Sequence, residues 1–564
     1  MLNDPIDLSG FTATDSEIYL GTSTWVNLSG VITLPSASTL YRFTGYKGGF
    51  LNVTTVLEGP NSVVIGDNEV PATGTVRNSL GEFSSRVELD AINTYSGGTT
   101  LEAGQLVITN ASSLGTGALT AFGNTYSFSS DQEGVPSLSP SFSDINLPNN
   151  IVLSSRLEVR TPLGLTDSNL ELSGTISNLG GLLKSAHGTL SLSGTNTFSG
   201  GIFINDGVLR IQTDTAAGTG ALGMNIHNGQ QVFFNSTAPT ISGLYSSKSD
   251  DEFMSTSTGS VELFDGTILT IAPAAGYSYD FEGSINGDGG LTINGLGTQR
   301  LSGNNSYSGG TTIAGGATVI VDNANAFGSP NIFTIPAPDN VAAIEGPPTP
   351  SVTLNNGTLL IGADIELLAE IDFGTAGGTL GGNGTLNFNN PLIFATGTQI
   401  APGQSIGKFT LQGPVEFASG GKLAIELGAD GSGNIISDTL LLSALDITAT
   451  AIDPFTVFVS DFDGSVATNF DPSQAFTWNI LGSTGGVTNF DTQAFALLLD
   501  SGINGVRGSG MFSLAIASGT VDGNLGTDNI LQLQFSPVPE PSTFAFLALG
   551  LTFLVFQTGR RRRA

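Results

Sequence analysis

The sequence predicts an all-β chain wound as a right-handed parallel β-helix (β-solenoid), with β-rich caps and a single C-terminal transmembrane helix. Three observations predict it. Glycine supplies 77 of 564 residues and charged residues only 12 %, about twice the usual glycine and half the usual charge, so helices are scarce and turns frequent. A segment with the core Asn-x-Tyr/Phe-Ser-Gly-Gly occurs three times, its glycine pairs 103 and 109 residues apart, and repetition at fixed offsets marks a stacked architecture. The last 27 residues hold an uncharged run closed by four arginines.

Residues 1–80 are strand-like and form an N-terminal β cap or the first coils. The solenoid follows over 81–445. Its three copies read INTYSGGTTLEAGQLVI from Ile92, TNTFSGGIFINDGVLRI from Thr195 and NNSYSGGTTIAGGATVIV from Asn304, with units near 87–108, 190–211 and 299–321. The repeat turns carry the pairs Gly97-Gly98, Gly200-Gly201 and Gly309-Gly310, since glycine reaches positive φ without a Cβ penalty. Between the turns apolar residues alternate, as in Leu190-Ser191-Leu192 and Leu209-Arg210-Ile211, which is the period of a half-buried strand. Residues 446–537 have fewer glycine pairs and read as a compact C-terminal β cap, because the last coil of a solenoid needs its apolar end covered.

Residues 538–564 are read as an address. Pro539-Glu540-Pro541 cannot continue a helix or donate fully to a ladder. No residue from Pro541 to Gly559 is charged, and 19 residues at about 1.5 Å each make a helix of roughly 28 Å, close to the hydrocarbon thickness. The cluster Arg560, Arg561, Arg562, Arg563 then stays cytoplasmic and orients everything before it to the other side. An exported chain should begin with a basic, then apolar signal peptide, whereas MLNDPIDLSGFTATD is acidic and polar; the start is therefore expected to be truncated or mis-assigned.

Val538-Pro539-Glu540-Pro541-Ser542-Thr543, the apolar run and the terminal arginines resemble the PEP-CTERM sorting signal of Gram-negative bacteria. That resemblance implies an exosortase-type processing enzyme as partner, an inner-membrane intermediate, and then the cell surface or extracellular matrix. The repeats resemble the autotransporter-associated β-strand repeat of secreted passenger domains. Ser302 to Thr312 fits that pattern throughout; the first copy has Asp90-Ala91 for Ser-Gly, and the second has Ile202-Phe203 for Thr-Thr. Stretches from Leu380, Ile400 and Ser437 are similar to the end of such a passenger. The tail stands where a passenger's translocating barrel is expected.

Without the four tail arginines the chain holds 13 basic residues against 48 acidic, a balance of −35. Such a surface repels phosphate backbones, so no nucleic acid is expected as a partner. There is no cysteine, which excludes disulfides, thiolate metal sites and cysteine nucleophiles. Chemistry is thinly supplied. His187 and His227 are the two histidines, both in turn-like settings, and Asp250-Asp251-Glu252 is the densest acidic cluster. A glycosidase needs two converging carboxylates, which adjacent residues do not provide. No catalytic residue and no cofactor are expected, and any metal is a weak Ca²⁺ site. Asp461-Phe462-Asp463-Gly464 resembles the start of a calcium loop without its closing glutamate, and Gly381-Gly382-Asn383-Gly384-Thr385 the start of a calcium nonapeptide without its aspartate.

The expected function is that of a non-enzymatic, exported structural or adhesive protein. The alternative is a polysaccharide-active or polysaccharide-binding β-helix with extracellular polysaccharide as partner. A binding surface would show an exposed line of aromatics such as Tyr95, Phe198 and Tyr307, although these three are expected first as core or turn packing.

Overall fold

The computed structural model describes residues 4–11, 19–36, 38–45, 49–66, 85–122, 136–141, 144–161, 169–226, 229–247, 259–328, 351–521 and 524–538. The chain divides into two compact units, Met1–Thr358 and Leu359–Ala564.

The first unit is built from short strands that return to the same face about every 20 residues. One face stacks ten strands in parallel, from Trp25–Leu28 through Leu182–Ser185, Ile202–Ile204 and Leu222–Asn225 to Leu244–Ser247. A second stacks seven, from Leu20–Thr22 to Ile176–Ser177, and a third stacks seven, from Ile145–Leu147 to Ser284–Gly287. In-register pairing puts like on like. Leu170, Leu190, Leu209, Val232, Val261 and Ile285 stand one above another on the third face, and none exposes any surface. Each such side chain contributes about 1.5–3 kcal/mol on burial. This is the parallel solenoid that the alternation in the repeats leads one to expect.

In the second unit the coils lengthen. Parallel strands Thr385–Asn387, Lys408–Phe417, Thr439–Ile447 and Phe476–Ser483 form one face, and Thr398–Pro402, Lys422–Ala429, Phe455–Asp461 and Phe495–Leu499 another. Pro414 is admitted into a strand because the register shifts between Leu411 and Pro414, the bulge sparing a ladder donor. Phe394, Phe417, Phe455 and Phe495 form an internal ladder, with Phe417 and Phe455 stacked at 4.1 Å and 3°. Asp438, fully buried, accepts from the backbone N–H groups of Gly407 and Glu426 at 2.8 Å each. Burial pushes its carboxyl up to about 7 against those two donors.

Parallel pairing runs past residue 445 as far as Phe495–Leu499. The antiparallel hairpin of Met511–Val521 and Asn524–Ser536 lies on Phe476–Ser483. Phe470, Phe476, Phe512 and Phe535 pack together beneath it, with Phe512 and Phe470 both 4.9 Å from Phe535. Trp478 joins them and donates from Nε1 to the Ile435 carbonyl at 2.9 Å. Asp364–Glu370 contributes a strand, Glu366–Leu368. Among the described residues no helix is long and apolar enough to cross a membrane; the expected C-terminal helix lies outside the described residues.

Candidate functional site

Each repeat copy supplies one coil, and its strand-free corner carries the Asn-x-Tyr/Phe-Ser-Gly-Gly core. The asparagines Asn93, Asn196 and Asn305 turn inward and are each 3 % exposed. In all three, Oδ1 accepts from a backbone N–H of the coil before: Leu57 at 2.8 Å, Ile176 at 2.7 Å, Ile285 at 2.8 Å. Nδ2 donates to a carbonyl of the coil after: Ser113 at 2.7 Å, Ala216 at 2.7 Å, Ala326 at 2.6 Å. One short side chain thus ties three successive coils where no strand ladder runs. A primary amide carries its acceptor and its donors on separate atoms of a short stem, so one side chain can reach in both directions.

The aromatic that follows fills the coil interior. Tyr95 and Phe198 are 0 % exposed and Tyr307 1 %, so these three are packed in the core and cannot present faces to a sugar; the binding line that the alternative reading would need is not at these residues. Their hydroxyls are matched inside the chain. Tyr95 meets Thr99 Oγ1 at 2.5 Å and Tyr307 meets Thr311 Oγ1 at 2.6 Å. In the second copy the ring is Phe198 and the partner Ile202, so both halves of the pair are lost together and no buried hydroxyl is orphaned. Burial holds the phenols of Tyr95 and Tyr307 well above the ordinary range.

The glycine pairs divide two tasks. At the second glycine the backbone is left-handed, with φ of 88° at Gly98, 76° at Gly201 and 77° at Gly310. The first lets the preceding coil approach: a Cβ on Gly97 would stand 2.6 Å from the Asn61 carbonyl oxygen, one on Gly200 2.5 Å from the Gly180 carbonyl carbon, and one on Gly309 2.5 Å from that of Gly289.

A buried lysine occupies a core position that alternation alone would give to an aliphatic residue. Lys184 pairs in register between Val159 and Ile204 and is 0 % exposed. Its three donors reach the carbonyls of Ser185 at 3.2 Å, Ala186 at 2.5 Å and Asp206 at 2.9 Å. Burial pulls the ammonium down to about 7, opposed by the Asp206 charge. Beside it, His187 Nδ1 lies 2.9 Å from Asp206 Oδ2, with the imidazole 65 % exposed, and Ser185 donates to Glu158 Oε1 at 2.5 Å. Lys184 braces a coil corner by closing on backbone atoms, and the two flanking pairs close on side chains. Asp461 and Asp463 likewise close on backbone, accepting from the N–H groups of Val466 at 3.2 Å and Ser465 at 2.9 Å. Among the described residues no three acidic or histidine side chains converge on one point.

An aromatic strip does reach the surface, at residues the sequence did not single out. Phe203, Tyr245 and Tyr279 follow one another at ring separations of 6.2 Å, and Tyr277 continues from Tyr279 at 6.3 Å. Tyr277 is 60 % exposed and the others are half-buried. The strip needs two glycines. A Cβ on Gly223 would stand 2.2 Å from the Tyr245 ring, and one on Gly243 would stand 2.2 Å from the Tyr279 ring. Its members lie up to 76 residues apart in the chain, so only the coil register reveals it. A polar groove lined by Glu282, Ser284, Asn286, Asn304, Ser306 and Asn325 runs beside the third repeat.

Val538, the first residue of the sorting motif, is 51 % exposed. Pro539, Glu540, Pro541 and Arg560, Arg561, Arg562 and Arg563 lie outside the described residues, as do His227 and Asp250, Asp251 and Glu252.

Comparison with known proteins agrees with the repeat and the tail. Residues 86–108, 187–211 and 291–321 match the family described as Passenger-associated-transport-repeat, and residues 537–563 match the PEP-CTERM protein-sorting motif. The chain is also similar to the adhesin BmaC autotransporter of Brucella suis biovar 1 (strain 1330), 29 % identical over 270 residues. That match covers 45 % of this chain and 8 % of the adhesin. The chain thus carries autotransporter-associated repeats and a PEP-CTERM motif, which together point to an exported, cell-surface protein of Gram-negative bacteria.

Proposed function

We propose that this chain, with passenger-type repeats joined to a sorting motif, is a non-enzymatic structural or adhesive protein of the cell surface or extracellular matrix. An exosortase-type enzyme takes it from an inner-membrane intermediate held by the tail. The carrying observation is the threefold coil lock of Asn93, Asn196 and Asn305, which spends buried polar groups on stacking coils. The ammonium of Lys184 also closes on backbone carbonyls, which supports a structural reading over a catalytic one. The similarity to a protein named an adhesin supports the adhesive role.

The test is localisation in a host that sorts PEP-CTERM proteins. The full chain should reach the surface or medium, and the same chain without residues 538–564 should not follow the same route. Identical distribution of the two forms would overturn the sorting role.

The aromatic strip favours a second reading, binding of a polysaccharide. Ring faces in series at about 6 Å suit the apolar faces of successive sugars, and the acidic balance of the chain favours a neutral glycan over a polyanion. Retardation of the protein in a gel containing neutral polysaccharide should fall on Tyr277→Ala. Unchanged migration of wild type and variant with and without the polysaccharide would remove this reading.

A further inference from the structure

The strand Met511–Val521 ends its sheet, bonded on one side to Asn524–Ser536. It is 11 residues long, whereas every strand that ends another sheet among the described residues has five or fewer. Its sequence, MFSLAIASGTV, has no charge and no proline. Natural edges are guarded by brevity, lysine, proline or bulges, because an open edge offers N–H and C=O groups to any other strand. Here the ladder stays regular from Met511 to Ala517, and the register shift comes only between Ala517 and Gly519.

The side chains add a second argument. Phe512, Leu514 and Ile516 stand opposite Phe535, Leu533 and Leu531. The latter three are at most 2 % exposed, while Phe512, Leu514 and Ile516 are half-buried, with no strand beyond them in the sheet among the described residues. The apolar face stops one strand short of cover.

We infer that this edge pairs with the same edge of a second copy, antiparallel about a two-fold axis at Leu514. Leu514 is the middle of the regular segment Met511–Ala517. The register sets Leu514 against its twin, Phe512 against Ile516 and Ser513 against Ala515. It continues the apolar row and supplies partners for the edge backbone groups. Two chains of net charge −31 repel one another over most of their surface, and this segment brings no charge into the contact. Because the contact is isologous, it closes at two copies.

The absence of cysteine makes the test clean. Across an antiparallel pair opposite Cβ atoms lie about 4.5–5.5 Å apart, near the reach of a disulfide. Full-length Leu514→Cys in mild detergent should form covalent dimers on gentle oxidation. Thr520→Cys, beyond the bulge, and Ser278→Cys, exposed in the first unit, should give severalfold less. A mixture of Ser513→Cys and Ala515→Cys chains should cross-link faster than either alone, which keeps the test valid if the Leu514 variant folds poorly. Equal cross-linking at all positions, as tail-driven clustering in detergent would give, overturns the pairing. Monomer throughout, as a foreign partner would leave, overturns it as well.

Discussion

Asn196→Ala is expected to be the most damaging single substitution in the repeated coils. Its amide is the bonded partner of the Ile176 N–H and the Ala216 carbonyl inside the coil, and alanine leaves both buried and unpaired. At about 1–3 kcal/mol for each orphaned group the loss is about 2–6 kcal/mol, a large share of the stability of an ordinary domain. Asn196→Asp separates the two bonds. The carboxylate still accepts from Ile176 but faces the Ala216 carbonyl without a proton to donate. In the folded state its pKa is raised by burial, so the penalty is smallest below the unfolded value near 3.9 and grows as pH rises through the folded one. Urea unfolding at pH 4 and pH 7 checks this: Asn196→Ala should be similarly destabilised at both, and Asn196→Asp markedly more at pH 7. A cost below 1 kcal/mol for Asn196→Ala would contradict the lock.

Gly309→Ala should cost far more than Gly310→Ala, although the two glycines are adjacent and equally prominent in the sequence. At Gly309 a methyl group would stand 2.5 Å from the Gly289 carbonyl carbon and 2.6 Å from its oxygen. That is backbone of the coil below, which moves only if the stack opens. The expected cost is at or above the usual overpacking range of about 1–3 kcal/mol. Gly310 has φ of 77°, and its nearest obstacle is the Ser351 hydroxyl at 3.1 Å, a side chain that can rotate. Alanine there bears mainly the left-handed strain of about 1–2 kcal/mol, and asparagine less. Thermal unfolding of the three variants should rank them Gly310→Asn, Gly310→Ala, Gly309→Ala from mildest to worst. Equal shifts at both positions would mean that the pair acts only as a flexible turn.

The stacked architecture was legible because a coil of about 20 residues must repeat the same corner chemistry, and that chemistry sits in one short stretch: Asn196, Phe198, Gly200 and Gly201 fall within six residues. The role of the asparagine was not legible, since its partners Ile176 and Ala216 are each 20 residues away and only the coil length relates them. Tyr95, Phe198 and Tyr307 read first as core or turn packing, and their burial bears that out. The coupled change of Phe198 with Ile202 against Tyr95 with Thr99 and Tyr307 with Thr311 was the available sign of burial. The exposed strip was hidden for a different reason. Tyr245 covers Gly223 and Tyr279 covers Gly243, and the coils between them vary in length, so no fixed spacing marks the series. Lys184 was missed because a lysine in a strand reads as outward-facing, whereas the carbonyls of Ser185, Ala186 and Asp206 receive it at the corner.

The central claim joins a stacked-coil cargo to a sorting tail, and the mature C-terminus tests it most directly. Mass spectrometry of the protein recovered from the surface or medium of a sorting host should find the chain ending near Pro541, without the apolar run. Recovery of the exported protein with Arg560, Arg561, Arg562 and Arg563 still attached would contradict the account.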